Sequence, residues 1–310
     1  MTNTIPNQES NSTDLVNITV RGKLLPSLFD SVKTCKGRTV MSFQPHHVTL
    51  IGAEYSGEEC EENLSLGMSF VLTKHSCEAY SVSDTVRRQI KIDDVIRVTN
   101  TKIFKNKAAS KNATINIAIR RDTPSRIHFC ICESNGNTIT QSIPCEEANK
   151  MPFEYDDTFD LASSRVIDAT VLHNALNVLA NNAHQLCTIE LDAKQLKFTG
   201  DGDGKKFANA NDCCIVMGVL ENDKVEALSA KASFRVADLQ RFAKSNLENA
   251  YIYLETDKPL LIEYMLDTSP VSDDQTFCDD CLTLDMVNAN QKANAIVRYI
   301  VAEEEDDENA

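Results

Sequence analysis

The chain has 310 residues, a hydrophobic fraction of 42% and a formal net charge of −15. That length holds one large domain or two ordinary ones with a real core, and that charge excludes a protein that coats nucleic acid over its whole surface, while leaving room for a local basic face. No apolar run approaches the roughly 18 residues of a membrane-spanning helix, and 11 cysteines without a secretory leader read as reduced thiols inside a cell.

The polar start, residues 1–14, reads as a disordered leader. The sequons at Asn11, Asn17, Asn63 and Asn112 are therefore expected to stay unmodified. Leu24, Leu25, Leu28, Phe29 and Val32 recur at helical spacing, with Pro26 in the first turn and Gly37 past the end. Alternation predicts strands over 40–43 and 48–51. Ile92, Val95, Ile96 and Ile103 predict a second helix, leading into a hairpin over 113–133. An acidic stretch over 142–164 holds two prolines and reads as a connector, with Met151 and Phe153 as apolar islands among its acids.

The pattern then repeats. Leu172, Ala175, Leu176 and Leu179 form the next helical stripe, and Asn181 and Asn182 sit where Gly37 ended the first. Strands over 187–191 and 196–199 follow, with Leu196 and Phe198 standing 148 residues after Val48 and Leu50. Val236, Leu239, Phe242 and Ala243 mark a fourth helix. It leads into "LENAYIYLETDKPLLIEYML", a hairpin with Tyr251, Tyr253 and Glu255 on one face and Ile252 and Leu254 on the other. There "ENAYIYLE" answers the earlier "NATINIAI". A duplication of this length predicts two similar domains, and helices mixed with hairpins predict an α+β class. The expected organisation is a domain over 15–140, a connector over 141–162, a domain over 163–302 and an acidic tail over 303–310.

Motifs with chemistry are few. "CDDC", ending at Cys281, has the spacing of half a zinc site but lacks a second pair. Cys130 and Cys132 alternate within a strand, which reads as core or cross-strand packing. "GDGDG" from Gly200 lacks the acidic positions of a calcium loop, and His46-His47 reads as a loop pair. No phosphate-binding loop, nucleophile elbow or zinc-protease motif occurs. The expectation is a protein with no catalytic residue, no metal and no cofactor.

The order of elements resembles the DNA sliding clamps of the proliferating cell nuclear antigen family. The strings that carry the resemblance are "ATVLHNALNVLANNAHQLCTIELDAKQLKFTGDGDG", "AKASFRVADLQRFAKSNLENAYIYL", "TDKPLLIEY" and "VRYIVAEEEDDE". It covers most of 16–305 and weakens over 52–84. It implies two topologically similar domains per subunit, helices lining a central hole and sheets outside. It also implies a homotrimeric ring around duplex DNA that tethers DNA polymerase and other replication proteins, in the nucleus or a viral replication compartment.

Several residues gain expected roles from it. Phosphate contacts would come from Lys23, Lys33 and Lys36 on the first helix and from Arg97, Lys102 and Lys105 on the second. Lys231, Arg235, Arg241 and Lys244 would serve on the fourth. The third helix departs from the family, offering Asn174, Asn177 and Asn181 with His173 and His184. Met151 and Phe153, with Pro259, Tyr299 and Val301, would wall a pocket for partner peptides that insert aliphatic and aromatic anchors. Subunits would pair through edges near 138–143 and 206–210. The segment 267–295 is longer than the family's connection and "SGEECEEN" is an insertion, so the resemblance is to a divergent clamp of the kind a large DNA virus would encode. A heterotrimeric checkpoint-type clamp, a monomeric viral processivity factor and a small-molecule enzyme remain the alternatives.

Overall fold

The computed structural model describes residues 14–21, 38–55, 64–99, 113–133, 136–153, 164–182, 184–191, 195–201, 213–218, 229–244, 247–255, 258–270 and 291–302. The first half contains β1 (Asp14–Arg21), β2 (Arg38–Phe43), β3 (His47–Tyr55), β4 (Leu64–Thr73), β5 (Cys77–Val82) and β6 (Val86–Ile90). It continues with α1 (Ile92–Thr99), β7 (Thr114–Arg120), β8 (Arg126–Cys132), β9 (Thr138–Pro144) and the short β10 (Glu146–Glu147). The second half contains β11 (Ser164–Asp168), α2 (Ala169–Asn181), β12 (Leu186–Leu191), β13 (Gln195–Asp201) and β14 (Cys213–Gly218). It ends with β15 (Ala230–Arg235), α3 (Val236–Phe242), β16 (Asn249–Tyr253), β17 (Leu260–Pro270) and β18 (Gln291–Val301).

Alternating residues set the strand faces. In β1, Val16, Ile18 and Val20 are fully buried while Asn17 and Thr19 look outward. Helix α2 starts where the Asp168 carboxylate accepts hydrogen bonds from the amides of Thr170 and Val171, at 2.7 and 3.2 Å. Its stripe of Leu172, Ala175, Leu176 and Leu179 then packs into the core.

The strands form three antiparallel sheets, ordered β5-β1-β7-β8-β9, β10-β6-β2-β3-β4-β18-β17-β16-β11 and β14-β13-β12-β15. The duplication is visible in this order. β1, β7, β8 and β9 are answered by β11, β16, β17 and β18, while β6, β2, β3 and β4 are answered by β15, β12, β13 and β14. β2 and β12 stand 148 residues apart, as the sequence spacing predicts. The large sheet crosses from one half to the other where β4 pairs with β18, Val301 opposite Leu66 and Ala295 opposite Leu72. The architecture is sheet-rich α+β with the few described helices against the inner faces.

One apolar cluster runs through both halves. Its second-half centre is aromatic: the Phe242 and Tyr299 rings stack at 4.5 Å, and Tyr264 meets Tyr299 edge-on at 6.1 Å. The Tyr264 hydroxyl donates to the Phe242 carbonyl at 3.0 Å and accepts from the Lys244 amide at 3.3 Å, so this buried polar atom is satisfied. Cys77, Cys130, Cys132, Cys145 and Cys187 are free thiols. Burial pushes Cys77 up to about 12.

Two sequence expectations change. Lys231 lies in strand β15, where Ala230, Ala232 and Phe234 point inward, and Arg235 is the last residue of that strand; neither is helical. The segment 267–295 does not begin as a loop, because pairing of β17 with β18 continues out to Pro270 opposite Gln291. Helix α1 is described from Ile92 to Thr99, and the predicted continuation to Ile103 lies outside the described residues.

Candidate functional site

The outer face of the large sheet carries the most developed feature. Strand pairing aligns Ala53, Gly67, Ile300, Leu261 and Tyr253 in one row across β3, β4, β18, β17 and β16. Over this row lies the connector. The Phe153 ring packs against the cluster of Tyr253, Leu261 and Ile300, as do half-buried Leu64 and Tyr251. A Cβ at position 67 would stand 2.9 and 3.0 Å from two Phe153 ring carbons, so glycine there makes the space for the ring. The Tyr55 hydroxyl donates to the Pro152 carbonyl and ties down the residue before it. Pro152 is buried, Met151 is half-buried, and Pro259 is exposed just ahead of β17.

The adjacent row reads Ile51, Ser69, Arg298, Glu263 and Tyr251. Arg298 Nε donates to Glu263 Oε1 at 2.5 Å, and the Tyr253 hydroxyl donates to Glu263 Oε2 at 3.2 Å. The two charged side chains are only 9% and 3% exposed. Apolar neighbours alone would make such burial costly; here each charge has its opposite.

Of the predicted pocket, Phe153 lies on this face, Met151 is half-buried two residues before it, and Tyr299 and Val301 lie on the opposite face. Both point into the core, fully or almost fully buried, and Ile300 between them faces the connector. A shift of one residue along a strand exchanges its faces.

The predicted cations are in varied settings. Arg97 is exposed on α1 and donates to Asp94 at 2.9 Å. Lys244 holds its ammonium 5.5 Å from the Tyr299 ring centroid. Arg241 forks onto the Glu54 carboxylate, 187 residues away in the chain, at 3.0 and 2.6 Å. It also lies 3.6 Å from Asp238, whose carboxyl burial holds above its usual range against the pull of Arg241. Arg241 is thus a strut from α3 to the end of β3, its charge already balanced. Lys231 and Lys197 both donate to Glu190, at 3.0 and 2.9 Å, and these bonds, Lys197 first, hold that carboxyl below its usual range. Lys23, Lys33, Lys36, Lys102 and Lys105 lie outside the described residues.

Helix α2 presents Val171, Asn174 and Val178 outward, an uncharged stripe. Asn177 belongs elsewhere: its amide nitrogen is 2.9 Å from His173 Nε2, and its oxygen accepts from Gln240 Nε2 at 3.0 Å. His173 Nδ1 reaches the Ala243 carbonyl at 3.3 Å, so this network joins α2 to α3.

β9, the predicted edge at 138–143, ends the five-stranded sheet, and β14 ends the four-stranded one. The second predicted edge, Lys206 to Ala210, lies outside the described residues. Sequence reasoning missed Gly67, Ile300, Leu261, Glu263, Arg298 and Glu54. The alternation in "TDKPLLIEY" could have found Leu261 and Glu263; Glu54 had no local signal. Among the described residues no three His, Cys, Asp or Glu side chains gather as metal ligands, and no helix is long and apolar enough to cross a membrane.

No protein-family profile matches the sequence, and no curated protein does. Solved structures match closely in shape. The proliferating cell nuclear antigen of Thermococcus kodakaraensis superposes with a TM-score of 0.66 at 15% identity, over 93% of this chain and 100% of that one. The Entamoeba histolytica protein gives 0.65 at 10% identity, over 94% and 100%. The A. fulgidus protein, solved with the C-terminal region of FEN-1 bound, gives 0.66 at 14% identity, over 94% and 99%. The chain has the sliding-clamp fold. Identities this low show the fold and leave function to be argued from the residues.

Proposed function

We propose that this chain is the subunit of a ring that encloses duplex DNA and holds replication proteins to it. One observation carries the reading. Inside the chain β4 pairs with β18, and the duplication makes β14 and β9 their counterparts, each an edge among the described residues. A second copy laid head to tail would pair β9 with β14 and repeat the internal seam. Such an edge is a ready template for another strand, and a repeated heterologous contact closes when its rotation divides a full turn. Two repeats per chain make a three-chain ring of six repeats. The likeness to three clamps supports the same assembly.

In this reading the halves 15–140 and 163–302 are the repeats, joined by the connector at 141–162, and the helices face the hole. Arg97, Arg235, Lys244 and the lysines at 23, 33, 36, 102 and 105 touch phosphates without reading sequence. Lys231 is set aside with Glu190, and Arg241 is engaged with Glu54. α2 offers neutral contact. The outer face at Met151, Phe153, Pro259 and Ile300 receives a partner's terminal segment, as the A. fulgidus clamp received that of FEN-1. The ring does no chemistry itself and works in a nuclear or viral replication compartment.

The test is native mass. Light scattering at micromolar concentration should give about three times 34.4 kDa. A monomer unchanged by salt or concentration overturns the homotrimer, and with it the head-to-tail seam. Retention at high salt on nicked circular DNA, with loss from the linear form, would distinguish enclosure from surface binding.

A further inference from the structure

The connector occupies its own pocket. Phe153 is half-buried, and its ring rests on Gly67, flanked by Ile300, Leu261 and Tyr253. Ala53 and Gly67 are the small members of that row and form its trough. The fit is specific, because any side chain at position 67 strikes the ring at 2.9 Å. A hydroxyl from Tyr55 latches the preceding carbonyl. Pro152, beside Phe153, is buried as well. An aromatic side chain is thus shown to fit this trough, and the one that fits is the protein's own.

We infer that Phe153 is an internal stopper: a partner that docks an aromatic side chain on the outer face must first displace the strap at Met151–Phe153. This rests on the partner-docking reading above and reverses the expectation that Phe153 is a wall of the partner's pocket. The free protein holds the trough closed, and a ligand binds only the fraction of molecules in which it is open. Apparent affinity is reduced by that fraction, and a change that keeps the trough open removes the penalty. Gly67 and Phe153 act on the same equilibrium from opposite sides. Removing the ring empties the trough, and adding a methyl group at position 67 pushes the ring out.

The experiment compares the full chain with Phe153→Ala and Gly67→Ala. The probe is a short capped peptide carrying one leucine and two adjacent phenylalanines, followed by calorimetry. Phe153→Ala should bind it about tenfold more tightly than the unaltered chain, a gain of the size expected when a minor open state becomes dominant. Gly67→Ala should move in the same direction by less, since its methyl group also makes the trough shallower. Equal or weaker binding by Phe153→Ala overturns the stopper and restores Phe153 as an anchor or wall. Limited proteolysis of the unaltered chain covers the case of a misfolded variant. Saturating peptide should speed cleavage in the connector, and a connector that stays protected also overturns the proposal. Native mass is measured on the same samples. Tighter binding by a monomer would keep the stopper and discard the ring; unchanged binding by a trimer would do the reverse.

Discussion

Glu263 and Arg298 sit opposite each other on the outward face of their sheet, where the duplicated half has no such pair: on that face β8 and β9 set His128 against Ser142, Cys130 against Thr140 and Cys132 against Thr138. Burial makes the pair sensitive to losing one member. Glu263→Ala should cost about 3–5 kcal/mol, because it strands the Arg298 guanidinium out of water. Replacing both with leucine and methionine should come out near neutral. Urea unfolding of the single and double variants is the measurement, and equal losses would place the pair in contact with water. Glu190 behaves differently because it is accessible. Its folded pKa is below the ordinary 4.5 through hydrogen bonds from Lys197 and Lys231. The stability it contributes is therefore present above the unfolded value and lost as pH falls through the folded one. Glu190→Gln should lower stability modestly at neutral pH, where the contribution is fully present, and flatten the acid limb, so that the two stability–pH curves converge as pH falls through the folded value.

Helix α2 separates two asparagines that its sequence presents as equivalent. Asn177→Ala removes the bridge between His173 and Gln240 and should cost about 1–2 kcal/mol. Asn174→Ala, on the exposed face, should stay within about 0.5 kcal/mol. Thermal unfolding of the two variants side by side checks this. The same contrast explains what is legible in the sequence. The hairpin of β16 and β17 is readable because Ile252 and Leu254 alternate with tyrosines and only one face is fully apolar. β18 is not: "AIVRYIV" has apolar residues on both faces, so nothing local says whether Tyr299 or Ile300 looks inward. Its outer extension with β17 is hidden because backbone pairing proceeds through "DTSP" whatever the side chains are. Lys231 reads as helical because the small residues Ala230 and Ala232 carry little apolar signal for a strand. Arg241 does lie on a helix, but its task depends on Glu54, which no periodicity links to it.

At the scale of the molecule, charge separates strut from contact. If the hole binds phosphates, Arg97→Gln and Lys244→Gln should each lower the slope of log affinity against log salt by about 0.9. Native mass should not change. Arg241→Gln should leave that slope nearly unaltered and instead lower the melting temperature, because it releases Glu54 and Asp238. Filter binding across a salt series, with calorimetric melting of the same variants, decides between the two roles. An Arg241 variant with a normal melting temperature and a reduced slope would return that residue to the DNA-facing set. The duplication and the β9 edge are legible at this scale, because they depend on element order more than on any single side chain.

The β4–β18 seam also fixes where a closed assembly would yield under load. Seven residue pairs join the two halves there, and covalent continuity, the Arg241–Glu54 strut and the Phe153 strap act alongside them. The same seam between chains would have the strand pairing without the covalent link or the strap. Springs in series give way at the weakest member, and the compliant member here is the boundary between copies. An applied tension would open a single boundary of that kind like a gate, while each chain moved as a stiff crescent.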